Sequence, residues 1–196
     1  MNSKIILASQ SPRRKQLLEW AEVEFDILIQ STDESFPPNL PVELIPIHIA
    51  RNKALAIIGH SSFKVYNPPL LVLAADTIVV LDSVVIGKPN SREEAIEILS
   101  KLSGKKHSVI TGVVLRLEGR EISFSDTTTV WFHSLTRSEI EFYVDRYKPY
   151  DKAGAYAIQE WIGVIGIKRI EGDFYNVMGL PVSRVIQAIQ EFNDVN

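Results

Sequence analysis

The longest apolar stretch of the chain runs from Leu70 to Leu81 and is broken by Asp76 and Thr77. It is shorter than the ~20 apolar residues a membrane-spanning helix needs, so it belongs in a folded core. Leu70 to Ala75 and Ile78 to Leu81 read as strand, which sets a carboxylate inside an otherwise apolar strand. Burying that charge costs several kcal/mol unless pairing, a metal or protonation compensates. Two explanations stand: a satisfied structural aspartate at a strand end or bulge, or a group with chemistry to perform.

Short strands and helices surround this stretch. Lys4 to Ala8 reads as a buried strand, Ser9-Gln10-Ser11 as a turn, and Pro12 to about Trp20 as a helix with Ser11 as N-cap. Glu24 to Ile29 alternates Phe25, Ile27 and Ile29 with polar neighbours, as a strand does, and a polar loop follows from Ser31 to Pro41. Leu44, Ile47, Leu55 and Ile58 keep helical spacing, with Pro46 restricting the regular part to its C-terminal side. Asp82-Ser83 turns the chain into a strand at Val84 to Ile86, and Ser91 with Glu94 forms a capping box for a helix ending at Gly104. Val109 to Leu117 and Glu121 to Val130 flank Glu118-Gly119-Arg120 as a hairpin. Thr136 with Glu139 caps a helix to about Tyr147, strand-like pieces follow at Ala155 to Gln159 and Ile165 to Ile170, and a last helix starts near Pro181. Hairpins mixed with strand–helix units predict an α/β fold, a mixed sheet with flanking helices, in one domain over residues 1–196.

Composition narrows the function classes. With 45% hydrophobic and 23% charged residues the chain has ordinary globular usage, which excludes disorder and coiled-coil arrays. Zero cysteines remove disulfides, thiolate nucleophiles and Cys-ligated zinc. Lys4 is followed by only Ile5-Ile6-Leu7-Ala8, shorter than the ~7–15 apolar residues of a secretory signal, so a cytoplasmic location is expected, with no membrane partner. A net charge of -3 and a pI near 5.8 give no cationic field for nucleic acid, so no nucleic-acid partner is expected either. Trp131, Phe132 and Trp161 suit either the core or the face of a homodimer.

Two further segments carry chemistry. Ala8-Ser9-Gln10-Ser11-Pro12-Arg13-Arg14-Lys15 runs a strand into a helix N-terminus, where backbone N–H groups, two hydroxyls and two arginines suit an anion. A capped surface helix with a solvated basic face explains the same residues about as well. Asp151-Lys152-Ala153-Gly154-Ala155-Tyr156-Ala157-Ile158-Gln159 is charged at its start, small in its middle and amide-tipped at its end. Its small residues permit close backbone approach, and the Gln159 amide offers an acceptor and two donors for a base edge. The plainer alternative is an edge strand with an exposed ion pair. Between the two lies Gly87-Lys88-Pro89, a turn with a cation.

Taken in order, these segments resemble the signature of the Maf family of nucleoside triphosphate pyrophosphatases. The matching markers are Ala8-Ser9-x-Ser11-Pro12-Arg13-Arg14, Ala75-Asp76-Thr77-x-Val79, Gly87-Lys88-Pro89, Leu102-Ser103-Gly104 with Thr111-Gly112-Val113, Asp151-Lys152-Ala153-Gly154-Ala155-Tyr156, and Asn176-Val177-x-Gly179-Leu180-Pro181. The resemblance implies a two-lobed α/β fold similar to the inosine triphosphate pyrophosphatases, with a central cleft. It also implies metal-dependent cleavage of a nucleoside triphosphate to monophosphate and pyrophosphate. The run ending in Gln159 looks like the dTTP/UTP branch, while Gln10, Ala157 and Glu160 stand where the family often has glycine.

Residue roles follow from the same resemblance. Asp76 matches the catalytic acid, as general base or as the group that orients the attacking water, and Glu34 matches a carboxylate that shares a divalent metal, Mg²⁺ or Mn²⁺, with it. Lys53 and Lys88 match lysines near the triphosphate. Ser9, Ser11, Arg13 and Arg14 match the substrate-binding start of the first helix, and Thr77 and Gln159 complete the specificity set. None of His48, His60, His107 and His133 has a metal-ligand spacing to another, so surface or core positions are expected. Alternatives are 7-methyl-GTP as substrate, or a nucleotide-binding regulator of septum formation with little catalysis.

Overall fold

The computed structural model describes residues 4–194. Its strands are β1 (Ile5–Leu7), β2 (Phe25–Ile27), β3 (Leu71–Leu81), β4 (Val84–Ile86), β5 (Lys106–Leu117), β6 (Arg120–Phe132) and β7 (Ile167–Glu171). Its helices are α1 (Pro12–Trp20), α2 (Ile45–Gly59), α3 (Arg92–Leu102), α4 (Arg137–Tyr147), α5 (Trp161–Gly166), α6 (Phe174–Met178) and α7 (Val182–Asp194). The strands form one sheet in the order β2-β1-β3-β5-β6-β7, with β4 paired to β3. Parallel pairing of β1 with β2 and β3, and antiparallel pairing of β3 with β4 and of β6 with β7, make the sheet mixed, as predicted.

The chain divides into two units, and β3, β5 and β6 carry residues of both. The first unit comprises the described residues up to Asp76, Thr111–Asp126 and the described residues from Gly179 on. Its core joins Ile6 and Ala8 to Val72 and Ala74 of β3, Val114 of β5, and the Ile47, Ala50, Ala54 and Ile57 face of α2. Removing side chains of this size from water supplies most of the drive to fold. β5 passes α2 so closely at Gly112 that a Cβ there would sit 2.3 Å from the backbone of Pro46 and Ile47, which no other residue tolerates.

The second unit comprises Thr77–Ile110 and Thr127–Met178. Here α3 packs on α4, burying Ile96, Leu99 and Leu102 from one helix and Ile140, Tyr143 and Val144 from the other. The hairpin turn at Asp82-Ser83 places both residues at positive φ, and Glu118-Gly119, in the first unit, does the same between β5 and β6.

Several local expectations are met and others are corrected. Helix α1 starts and stops as predicted, with the Ser11 hydroxyl accepting the Arg14 N–H at its start. The capping box at Thr136 and Glu139 is complete. At Ser91 only half of it forms, because the Glu94 carboxylate takes the N–H of Asn90 instead. Pro46 lies in the first turn of α2, where its missing N–H breaks no bond. The two pieces expected on either side of Asp76 are one continuous strand, β3, since the aspartate's charge is answered without a break. β2 is shorter than expected and leaves Ile27 and Ile29 exposed, as suits the edge of the sheet.

Ala155 to Gln159 is not a strand. Gly154 and Ala155 take positive φ, which a strand cannot contain, and residues 157–160 form a turn. The piece expected from Ile165 is strand only from Ile167, after the short helix α5.

Candidate active site

In the first unit, the structure brings together three of the side chains matched by the resemblance. Asp76 comes from β3, Lys53 from α2, and Glu34 from the loop after β2. The Lys53 ammonium sits 2.6 Å from Asp76 Oδ1 and 2.7 Å from Glu34 Oε1. Side-chain exposure is 17% for Lys53 and 11% for Asp76 but 45% for Glu34, so the inner pair is largely withdrawn from water and the outer one is not. Beside Glu34, the Asp33 carboxylate accepts both the N–H and the hydroxyl of Ser35, which fixes the loop locally.

Arg14 is buried, which excludes a solvated basic face for this residue. Its Nε donates to the Gly179 carbonyl at 2.7 Å and its Nη1 to Ser9 Oγ at 3.1 Å. Ser9 Oγ also accepts the Ser11 N–H, so both serine side chains hold the strand-to-helix corner in place. Burial pulls the Arg14 guanidinium below its ordinary pKa; the charges of Asp76 and Glu34 oppose that shift and the charge of Arg13 adds to it. Arg13, Arg14, Glu34 and Asp76 therefore share one electrostatic neighbourhood, and Lys53 joins it by direct contact.

The carboxylate pair suits a hard divalent cation. Asp76 and Glu34 each direct an oxygen at one cationic atom, the Lys53 nitrogen. Among the described residues no three His, Cys, Asp or Glu side chains group as a metal site. Two carboxylates with substrate phosphates and waters completing the shell is a common arrangement for Mg²⁺, so the residues fit.

In the second unit, Gly87-Lys88-Pro89 and the Asp151–Gln159 run meet, as the Gly154 N–H donates to the Gly87 carbonyl at 3.2 Å. Gly154 has φ 70°, and a Cβ on it would lie 2.9 Å from the Val79 side chain, so this run also packs on β3 just past Thr77. Lys88 and Gln159 are exposed and Thr77 is half-buried. Lys152 is buried, 2.7 Å from Asp151 Oδ1 and 3.7 Å from Glu160 Oε1, which corrects the exposed ion pair of the edge-strand alternative.

Sequence reading missed Tyr143, which lies on the buried face of α4 with Ile140 and Val144 and whose hydroxyl reaches Glu160 and the Ala157 N–H. A tyrosine at helical spacing among aliphatic residues was the available signal. Of the histidines, His107 is in the core, and His60 and His133 are exposed.

A chain whose first unit combines paired carboxylates, a bridging lysine and a buried arginine has the equipment of a phosphate-handling protein. The Maf-like protein family matches residues 4–192, and the chain belongs to that family. A dTTP/UTP pyrophosphatase of Cytophaga hutchinsonii is 48% identical over 202 residues, covering 100% of this chain and 90% of that protein. One from Porphyromonas gingivalis is 44% identical, covering 98% and 96%, and one from Bacillus velezensis is 42% identical, covering 98% of each chain. The Staphylococcus aureus Ham1 protein structure aligns over 97% of this chain and 100% of that one, with a TM-score of 0.48 and 16% identity.

Proposed function

We infer that this chain is a nucleoside triphosphate pyrophosphatase that hydrolyses dTTP and UTP to the monophosphate and pyrophosphate. Its relatives named for that activity span nearly the whole chain. The observation that carries the assignment to residues is the convergence of Asp76 and Glu34 on one cationic atom beside a buried arginine.

Water attacks the α-phosphorus, the bond from that phosphorus to the bridging oxygen breaks, and pyrophosphate leaves. Asp76 accepts the proton of the attacking water; its Oδ1 takes the Lys53 hydrogen bond, and we assign the proton to Oδ2. Lys53 keeps the Asp76 side chain in a single orientation and adds positive charge near the triphosphate. Asp76 and Glu34 are the residues that would hold Mg²⁺ or Mn²⁺, which when bound lowers the pKa of water and offsets phosphate charge. Arg13 and Arg14 supply further positive charge, Arg14 with its orientation set by Gly179 and Ser9. On the resemblance we also assign Lys88 to the leaving pyrophosphate and Thr77 and Gln159 to the base, the Gln159 amide offering its acceptor and donors to the O4 and N3–H of uracil or thymine. Among the described residues no helix is long and apolar enough to cross a membrane, and with zero cysteines we assign the chain to the cytoplasm.

The test is a panel of nucleoside triphosphates with Mg²⁺, separating pyrophosphate from orthophosphate release. Pyrophosphate from UTP and dTTP is the expected product, and orthophosphate alone would overturn attack at the α-phosphorus.

A further inference from the structure

We propose that Tyr143 and Glu160 are positioning residues for base discrimination, because one buried hydroxyl ties both ends of the turn that carries Gln159. The inference rests on the pyrimidine triphosphate reading given above, in which Gln159 meets the base.

The turn spans residues 157–160 and is closed by the Glu160 N–H donating to the Ala157 carbonyl at 3.1 Å. Ala157 and Ile158 are buried and Glu160 is half-buried, while Gln159 is exposed. Tyr143 is fully buried on α4, and its hydroxyl accepts the Ala157 N–H at 3.2 Å and donates to the Glu160 carboxylate. One oxygen thus donates to one end of the turn and accepts from the other, as a phenol with one proton and acceptor lone pairs can. The Lys152 ammonium lies 3.7 Å from the other Glu160 oxygen and attracts that carboxylate toward it.

An exposed amide that must match donor and acceptor on a pyrimidine edge needs a fixed backbone beneath it. Distinguishing uracil from cytosine depends on which way that amide faces. A glycine at position 160, which the resemblance makes the commoner residue, has no carboxylate with which to take the hydroxyl. Here the acid ties the turn to α4.

The experiment measures kcat and KM for UTP and CTP in the wild-type protein and in Tyr143→Phe, Glu160→Ala and Glu160→Gln. Loss of one hydrogen bond is typically worth a roughly three- to tenfold change, so Tyr143→Phe and Glu160→Ala are expected to lower the UTP-to-CTP ratio of kcat/KM by about that factor through KM for UTP. Glu160→Gln keeps an oxygen that accepts from Tyr143 and is expected to retain the wild-type ratio. Should Tyr143→Phe fail to fold, the two Glu160 variants carry the comparison. An unchanged ratio in Glu160→Ala, or an equal loss of kcat on both nucleotides, overturns the positioning role. A wild-type protein that releases no pyrophosphate from UTP overturns instead the reading on which the inference rests.

Discussion

The buried imidazole of His107 makes stability depend on pH in a way that can be calculated. Its Nε2 lies 2.7 Å from Tyr156 Oη, the Phe132 and Tyr156 rings pack edge-on against it, and its Nδ1 is buried without a hydrogen-bond partner. Protonation would bury a charge and leave an Nδ1–H unanswered, and burial accordingly lowers the pKa from 6.5 to about 4. Between these values the unfolded chain binds the proton that the folded one refuses. The contribution is therefore complete above pH 6.5 and is lost as the pH falls through 4. At 1.36 kcal/mol per pKa unit the full loss is about 3 kcal/mol, of which about 2 kcal/mol has gone by pH 5. His107→Phe removes the titration while keeping a ring, at the cost of leaving the Tyr156 hydroxyl unpaired. That penalty lowers stability at every pH and cancels when the slope is read. Urea unfolding at pH 8 and pH 5 is the assay. The wild-type midpoint is expected to drop by roughly 1 M more than that of the variant, taking a slope of about 2 kcal/mol per M. Equal drops in the two proteins would refute the assignment of this acid sensitivity to His107.

Three more outcomes are expected. Asp76→Asn keeps nucleotide binding and loses about 10²- to 10⁴-fold in kcat for pyrophosphate release, the usual worth of a general base, and near-wild-type turnover would remove it from that role. Glu34→Ala shifts the half-saturating Mg²⁺ concentration upward by roughly tenfold in a metal titration, as expected when one of two carboxylate ligands is lost; an unchanged curve returns Glu34 to the status of a solvated loop acid. Arg14→Met, which strips the Gly179 carbonyl and Ser9 of their buried donor, lowers unfolding stability by about 1–3 kcal/mol, visible as a fall in Tm of several degrees.

What could be read from the sequence was what neighbouring residues decide. The start of α1 depends on Ser11 and Pro12, the Thr136 capping box on a residue three positions away, and the β5–β6 hairpin on Glu118 and Gly119. The continuity of β3 past Asp76 was not legible, since it depends on Lys53, a partner on another helix. The turn at residues 157–160 was also hidden, because the alternation of small and apolar residues there suits a strand. What overrides it is the left-handed backbone at Gly154 and Ala155 and the reach of Tyr143 from α4. The candidate site residues came from their order along the chain, while the way Lys53 ties two of them together was visible only in three dimensions.

The aspartate that interrupts the apolar stretch asked for a compensating partner, and the structure answers with a cation. One ammonium faces two carboxylates, and the arginines Arg13 and Arg14 stand in the same electrostatic neighbourhood. Lys53, Arg13 and Arg14 against Asp76 and Glu34 leave these five groups at +1, although the whole chain carries -3. For a long polyanion the total matters, since its phosphates meet the surface over many Debye lengths of about 8 Å each. For a single triphosphate only the local sum is felt, and there the sign is reversed. Mild overall acidity is thus compatible with a nucleotide substrate.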